Sequence, residues 1–281
     1  MTEAALKIED LKYRYESDND ALFDINIEIR ENEFIGIIGQ NGAGKSTLLK
    51  NITGLLRPQE GRVLLFGKDI KDTPVSRIAD TIGFVLQNPD RQLFADTVKD
   101  EVAYSLVNRK IPREVIDKTV EEVLDLVGLS KKSEEFPPSL SRGDRAKVVI
   151  ASVLAMNPRI IILDEPTSGQ DYRGCHQIMK IARELHEKGC TVIFVTHHMA
   201  LVAEYAQRVI VMGRRSILMD DETRVVFSRP DILAATGIQP PQIIKLAQSI
   251  RQSLPVEGDI LSVQELGEKL IDIKVKEDKA V

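Results

Sequence analysis

Gly39–Leu48 reads GQNGAGKSTL, and within it Gly39, Gly44, Lys45 and Ser46 satisfy the spacing G-x-x-x-x-G-K-[ST]. The stretch follows the apolar run FIGII (Phe34–Ile38) and leads into STLLKNITGLL, which reads as a helix. A strand, a glycine-rich turn and a helix start make a phosphate cradle, because glycines let backbone N–H groups close around phosphate oxygens. Asn41, Gly42, Gly44 and Thr47 are expected to hold the nucleotide. Lys45 would neutralise its β and γ phosphates, and Ser46 would offer an oxygen to Mg2+. The bland alternative is a chance glycine-rich turn, against which the correct flanking elements argue. The pattern alone does not separate ATPases from GTPases or kinases.

Outward from that loop, three more short runs are β-rich: IIIL (Ile160–Leu163), TVIFV (Thr191–Val195) and RVIVM (Arg208–Met212). Continuous apolarity at this length suits strands covered on both faces, so the spacing predicts an α/β core with a parallel sheet between helices. The segment up to about Leu65 instead alternates apolar and polar positions, as in DINIEI, and predicts half-exposed antiparallel strands. Between them, Ile116, Val120, Val123, Leu124 and Val127 recur at helical spacing with Gly128 as a stop. A helical insertion over residues 90–156 follows. Past Val226, prolines bound short helical patterns, and residues 229–281 read as a small carboxy-terminal appendage ending in a frayed, charged KVKEDKAV.

The stretch IIILDEPTSGQD ends an apolar strand on two acids. Asp164 at the sheet edge is suited to hold the shell of Mg2+, and Glu165 to orient or deprotonate an attacking water. The bland alternative is a strand that ends in solvent. Composition sets the outer limits. Of 281 residues, 29% are charged and 43% hydrophobic, which predicts a folded globular chain. A formal charge of -5 argues against broad basic binding of nucleic acid. MTEAALKIEDLKYRY has no cationic start before an apolar core, so no targeting segment is expected and the product would stay in the cytoplasm. No run approaches the roughly 20 apolar residues of a membrane-spanning helix; VVIASVLAM is core-sized, and any membrane role must come from a partner. Cys175 and Cys190 lack the close spacing of a zinc site and read as small core residues.

With the P-loop and the acid pair in place, the chain resembles the nucleotide-binding subunit of ATP-binding cassette (ABC) transporters, in motif order over nearly the first 228 residues. The resemblance implies a P-loop NTPase domain over residues 1–228 and a carboxy-terminal dimerisation appendage. It implies adenine stacking on Tyr15, with Tyr13 the alternative. Gln87 would reach Mg2+ and the attacking water, Asp171 would be the D-loop aspartate, and His197 would sense the γ-phosphate. Read without the family, Tyr15 is a strand aromatic, Gln87 a solvated loop residue, and His197 or His198 a strand-end histidine. LSRGDR (Leu140–Arg145) stands at the family signature, where Arg142 replaces a glycine and Asp144 a glutamine. Ser141 and Asp144 also fit the S-x-x-D capping pattern. By the resemblance, Ser141 and Gly143 donate to the γ-phosphate held by an opposite subunit, Arg142 adds positive charge there and Asp144 repels. A second ATPase, as homodimer or heterodimer, is therefore expected, with a partner site that turns over slowly.

VLQNPDRQLFADTVKDEVAYSL is similar to the ATPases of energy-coupling factor (ECF) importers for vitamins and transition-metal ions. That likeness implies a transmembrane coupling subunit touching Leu93 and Phe94, a membrane-embedded substrate-binding subunit, and peripheral attachment to the cytoplasmic face of the membrane. Ile243, Ile244, Leu246, Ala247 and Ile250 would form an apolar face for a dimer contact or for packing within the chain. The alternatives are an ATP-binding regulatory or weakly hydrolysing subunit of such a module, or a non-transport ABC-type ATPase.

Overall fold

A computed structural model describes residues 4–15, 20–251 and 260–279. Its strands are β1 (Ala4–Arg14), β2 (Asp20–Arg30), β3 (Phe34–Gly39), β4 (Glu60–Leu65), β5 (Lys68–Asp69), β6 (Ile82–Val85), β7 (Ile160–Asp164), β8 (Thr191–Val195), β9 (Arg208–Gly213) and β10 (Ser216–Glu222). Its helices are α1 (Lys45–Ile52), α2 (Val75–Ile78), α3 (Val98–Asn108), α4 (Arg113–Leu126), α5 (Arg142–Leu154), α6 (Tyr172–Glu187), α7 (Met199–Tyr205), α8 (Thr223–Phe227), α9 (Pro230–Ala235), α10 (Gln242–Ile250) and α11 (Val263–Lys279).

The four apolar runs are β3, β7, β8 and β9, and they lie together in a sheet of order β10-β9-β3-β8-β7-β6. All neighbours in it pair in parallel except β10, which closes one edge antiparallel to β9. The period-two alternation of side chains explains why these runs are apolar throughout. Ile35, Ile37, Ile160, Ile162, Ile193 and Val195 face a core shared with the antiparallel sheet β2-β1-β4-β5 and with α1. Phe34, Ile161, Leu163, Val192 and Phe194 face a second core roofed by helices, where Phe34 and Phe194 meet edge to face at 5.5 Å. Emptying one such position, as in Ile162→Ala, should cost about 2–5 kcal/mol.

β6 completes the parallel sheet and has no clear mark in the sequence. It is four residues long and contains Gly83, where an added Cβ would stand 2.3 Å from Val153 Cγ1 of α5 and 3.1 Å from Pro158 Cγ. Close helix approach requires glycine there, and glycine hides the strand from a propensity reading. Between β6 and β7 run α3, α4 and α5, packed on one another. α4 carries Ile116, Val120, Val123 and Leu124 on its buried face, and Gly128 follows it with φ 72°.

At the carboxy-terminal end, Ile244 enters the main core, while Ala247, Ile260 and Leu266 form a small core of their own. Ile243 and Ile250 pack at its margin. Leu246, at the edge of the same face of α10, is 50% exposed and takes no part in this packing within the chain. The expected frayed tail is also corrected in part, because the backbone of α11 is helical to Lys279; the last two residues of KVKEDKAV lie outside the described residues. Among the described residues, no helix is long and apolar enough to cross a membrane.

Candidate nucleotide-binding site

β3 hands the chain to α1 through a turn that only glycine permits. Gly44 has φ 100°, and an added Cβ would approach Ala21 O to 2.6 Å. Gly42 has φ 80°, with nothing within 4 Å of a hypothetical Cβ, so its surroundings leave room for a ligand. Gly44 caps α1 without any side-chain hydrogen bond, and the first turn carries no acid. The leading N–H groups of α1 therefore lack a side-chain acceptor, the condition under which a helix start takes an anion. Lys45 is buried and folds back, its Nζ donating to Gly39 O at 2.6 Å and Gln40 O at 3.0 Å. Burial pushes its pKa down, against the pull of Glu165 and Asp164.

Gln87, Asp164, Glu165 and His197 meet beside this loop because they leave the ends of three adjacent strands, β6, β7 and β8. This is the crevice where open α/β sheets bind ligands. Asp164 is 7% exposed. Burial and the neighbouring Glu165 hold its carboxyl above the usual range, while a hydrogen bond from Ser46 and the charge of Lys45 partly offset this. Glu165 sits at φ 50°, an uncommon conformation for a non-glycine residue, anchored by its N–H to Val195 O at 2.9 Å. Its Oε1 lies 2.7 Å from His197 Nε2. Its Oε2 accepts Gln87 Nε2 at 3.1 Å and Ser168 Oγ at 3.0 Å. Ser168 was not apparent from the sequence, although its position three residues after Glu165 suits a turn contact. Buried Thr167 and Thr196 also escape a motif reading; their hydroxyls, 3.4 Å apart, link the turn after β7 to the turn after β8.

Tyr15 reaches the loop, its hydroxyl 3.3 Å from Thr47 Oγ1. It is 40% exposed, whereas Tyr13 packs against the core and meets it edge on at 5.0 Å. Tyr15 is thus the tyrosine with a face free to stack. For Mg2+, Ser46 and Asp164 supply hard oxygen donors, and Gln87 retains its amide oxygen while its nitrogen faces Glu165. Among the described residues, no cluster of three His, Cys, Asp or Glu could hold a metal. One carboxylate, a hydroxyl and an amide fit an ion that completes its shell with phosphate and water. A cation beside Asp164 would also draw its carboxyl back down, against the upward push of burial.

Ser141 and Gly143 are not brought to these groups. Ser141 caps α5, accepting Asp144 N–H at 3.2 Å and donating to Asp144 Oδ2 at 2.9 Å. Lys132 Nζ donates to the same oxygen at 2.8 Å. Burial alone would raise the Asp144 carboxyl, but these donors outweigh it and hold it below the usual range. The expected bare repulsion from Asp144 is therefore compensated within the chain. An added Cβ at Gly169 would stand 2.6 Å from Arg142 Nη1, so Arg142 lies across that turn. Asp171, expected in the D-loop, caps α6 by accepting Gly174 N–H at 2.7 Å. Ahead of α3, Gln92 braces the loop by bonding Leu86 N and Phe84 O, and Asp90 pairs with Arg145 Nε at 2.8 Å. Buried Glu101, missed in the sequence, accepts the N–H groups of Phe94 and Ala95. Phe94 is 62% exposed against Tyr104, while its neighbour Leu93 packs on the core. A groove of about 1630 Å3 lies elsewhere, between α6, α7, β10 and the appendage, and none of the phosphate-site residues lines it.

The sequence profile of the ABC transporter family matches residues 22–168. A putative ABC transporter ATP-binding protein of Methanosarcina acetivorans is 42% identical over 87% of the chain, but the chain spans only 40% of that relative's length. The energy-coupling factor transporter ATP-binding protein EcfA of Methanocaldococcus jannaschii is 39% identical over 90% of the chain and 92% of its own length. Among solved structures, cbiO1 from Clostridium perfringens, part of the ABC transporter complex cbiONQ, superposes with a TM-score of 0.77. It is 35% identical and covers 88% of this chain and 99% of its own.

Proposed function

The chain belongs to the ABC transporter family, in the energy-coupling factor group of its ATP-binding subunits, and from that premise we propose that it hydrolyses ATP to drive an importer. The carrying observation is the convergence of Gln87, Ser168 and His197 on the Glu165 carboxylate beside an uncapped, lysine-bearing helix start. In this reading Tyr15 stacks on adenine and the N–H groups of α1 receive the phosphates. Lys45 turns from the carbonyls of Gly39 and Gln40 to the β and γ phosphates. Ser46, Asp164 and Gln87 would hold Mg2+, which would supply charge compensation on the phosphate oxygens. Glu165 takes the proton of a water aligned for in-line attack, and His197 faces the departing phosphate.

Ser141 and Gly143 point to a second ATPase, whose nucleotide they would complete; closure on ATP and release on hydrolysis would then move the membrane partner. The partners proposed are a transmembrane coupling subunit, seated at Phe94, and a membrane-embedded substrate-binding subunit, for a vitamin or transition-metal ion. They would hold the chain at the cytoplasmic face of the membrane, with residues 229–281 proposed as the dimerisation appendage beyond the ATPase domain. The engagement of Ser141 by Asp144 favours one second reading, a weakly hydrolysing partner subunit. Purification from membranes with its partners, followed by single-turnover hydrolysis with the second ATPase present, tests both. Loss of turnover in Glu165→Gln supports the enzyme; turnover that is slow in the unaltered complex and unchanged by Glu165→Gln supports the second reading. Recovery with ribosomes and no membrane protein would overturn the transport role.

A further inference from the structure

Lys132 ends a short turn, Ser130–Lys132, between α4 and α5, and no motif includes it. Its ammonium and the Ser141 hydroxyl donate to the same oxygen, Asp144 Oδ2, at 2.8 and 2.9 Å. A serine hydroxyl carries a single hydrogen. In the chain by itself that hydrogen is committed to Asp144, and one of the two Ser141 lone pairs is taken by Asp144 N–H. Ser141 can turn its hydrogen to a phosphate only if the aspartate oxygen keeps another donor.

Neighbouring cations do not supply one. Arg142 lies across Gly169, and Arg145 is held by Asp90 and by the carbonyls of Pro138 and Leu140. Lys147 contributes charge near Asp144 without a hydrogen bond to it, and Glu135 faces Lys132. Lys132 is left as the group that both neutralises the carboxylate and bonds the shared oxygen. Building on the two-ATPase reading above, we propose that Lys132 is a positioning residue of the signature. It holds the Asp144 carboxylate in place and frees the Ser141 hydroxyl to donate to the γ-phosphate of ATP bound by the opposite ATPase.

The test is the ATP dependence of hydrolysis by the membrane complex purified with its second ATPase. Lys132→Met should raise KM for ATP roughly tenfold, the size of one charge-assisted hydrogen bond. Adding Asp144→Asn to that variant should bring KM back to within about twofold, and Lys132→Arg should be near normal. Binding of trinitrophenyl-ATP by the isolated chain should not change, since Tyr15 and Lys45 stand on the chain's own site. The proposal is overturned if KM is unaffected in Lys132→Met, if Asp144→Asn fails to restore it, or if the isolated chain loses nucleotide affinity in parallel. Ser141→Ala separates the two levels of the argument. If that variant behaves normally, the shared site itself is wrong; if it is impaired while Lys132→Met is normal, only the role of Lys132 falls.

Discussion

Two helix starts in this chain look alike in sequence and differ in what they leave open. α1 begins at Gly44 with no side-chain cap, no acid in its first turn, and a buried lysine drawn back onto backbone carbonyls. α5 begins at Ser141 with a complete cap, an acid at its third position and a lysine outside it. The first leaves its leading N–H groups without a side-chain acceptor, and the second satisfies itself until something competes for its donors. A helix N-terminus therefore signals a phosphate within its own chain where nothing there serves its N–H groups, whereas a capped start must exchange a partner before it can take one. The same contrast separates Asp164, whose pKa burial raises, from Asp144, whose pKa its donors lower.

The sharpest way to break this contrast is at the α1 side. Glu165→Gln should lower ATP turnover by the complex about 10²–10⁴-fold while leaving the fold intact; turnover within tenfold of normal would remove the carboxylate from the chemistry. Exchange of the two helix-start glycines comes next. Gly44→Ala forces a Cβ into Ala21 O at φ 100°, and should cost about 1–3 kcal/mol in denaturant titrations together with nucleotide binding. Gly143→Ala meets only the end of the Gln170 side chain, at 2.8 Å, and should stay within about 0.5 kcal/mol. Equal losses at both positions would show that the two starts are equally strained.

The two aspartates should respond to pH with opposite signs. Asp164 has a folded pKa above its ordinary 3.8, so its contribution falls as pH rises through the window between those values and stays unfavourable at neutral pH. Asp164→Asn should therefore raise the melting temperature of the nucleotide-free protein by about 2–4 °C at pH 7, while abolishing Mg2+-dependent hydrolysis. Asp144 has a folded pKa below 3.8; its favourable contribution is complete above that value and is lost as pH falls through the folded pKa. Because its pair with Lys132 is partly open to solvent, Asp144→Asn should lower stability by less than about 1 kcal/mol, and less still in high salt. A loss larger than that would mark the signature cap as a core element.

Much of the architecture was open to a reading of residue order. β3, β7, β8 and β9 are apolar between their end residues because cores lie on both sides of them, and that pattern survives in a linear string. The phosphate loop is legible for a different reason: its geometry is set by Gly42 and Gly44 within one turn, and local backbone preference is a property of the residue itself. β6 was not legible, since Gly83 exists for Val153 and Pro158, which lie about 70 residues downstream.

What residue order settled, then, was the class of sheet, the loop that accepts phosphates and the acid pair that follows a buried strand. Only the folded chain decided who stands beside whom. Gln87 is 78 residues from Glu165, yet strand adjacency brings them within 3.1 Å. Lys132 compensates Asp144 from a separate turn, and Leu246 stays half exposed on a helix whose other apolar residues pack within the chain. Backbone preference and strand periodicity act within a few residues, whereas charge compensation and burial depend on neighbours that packing alone assembles.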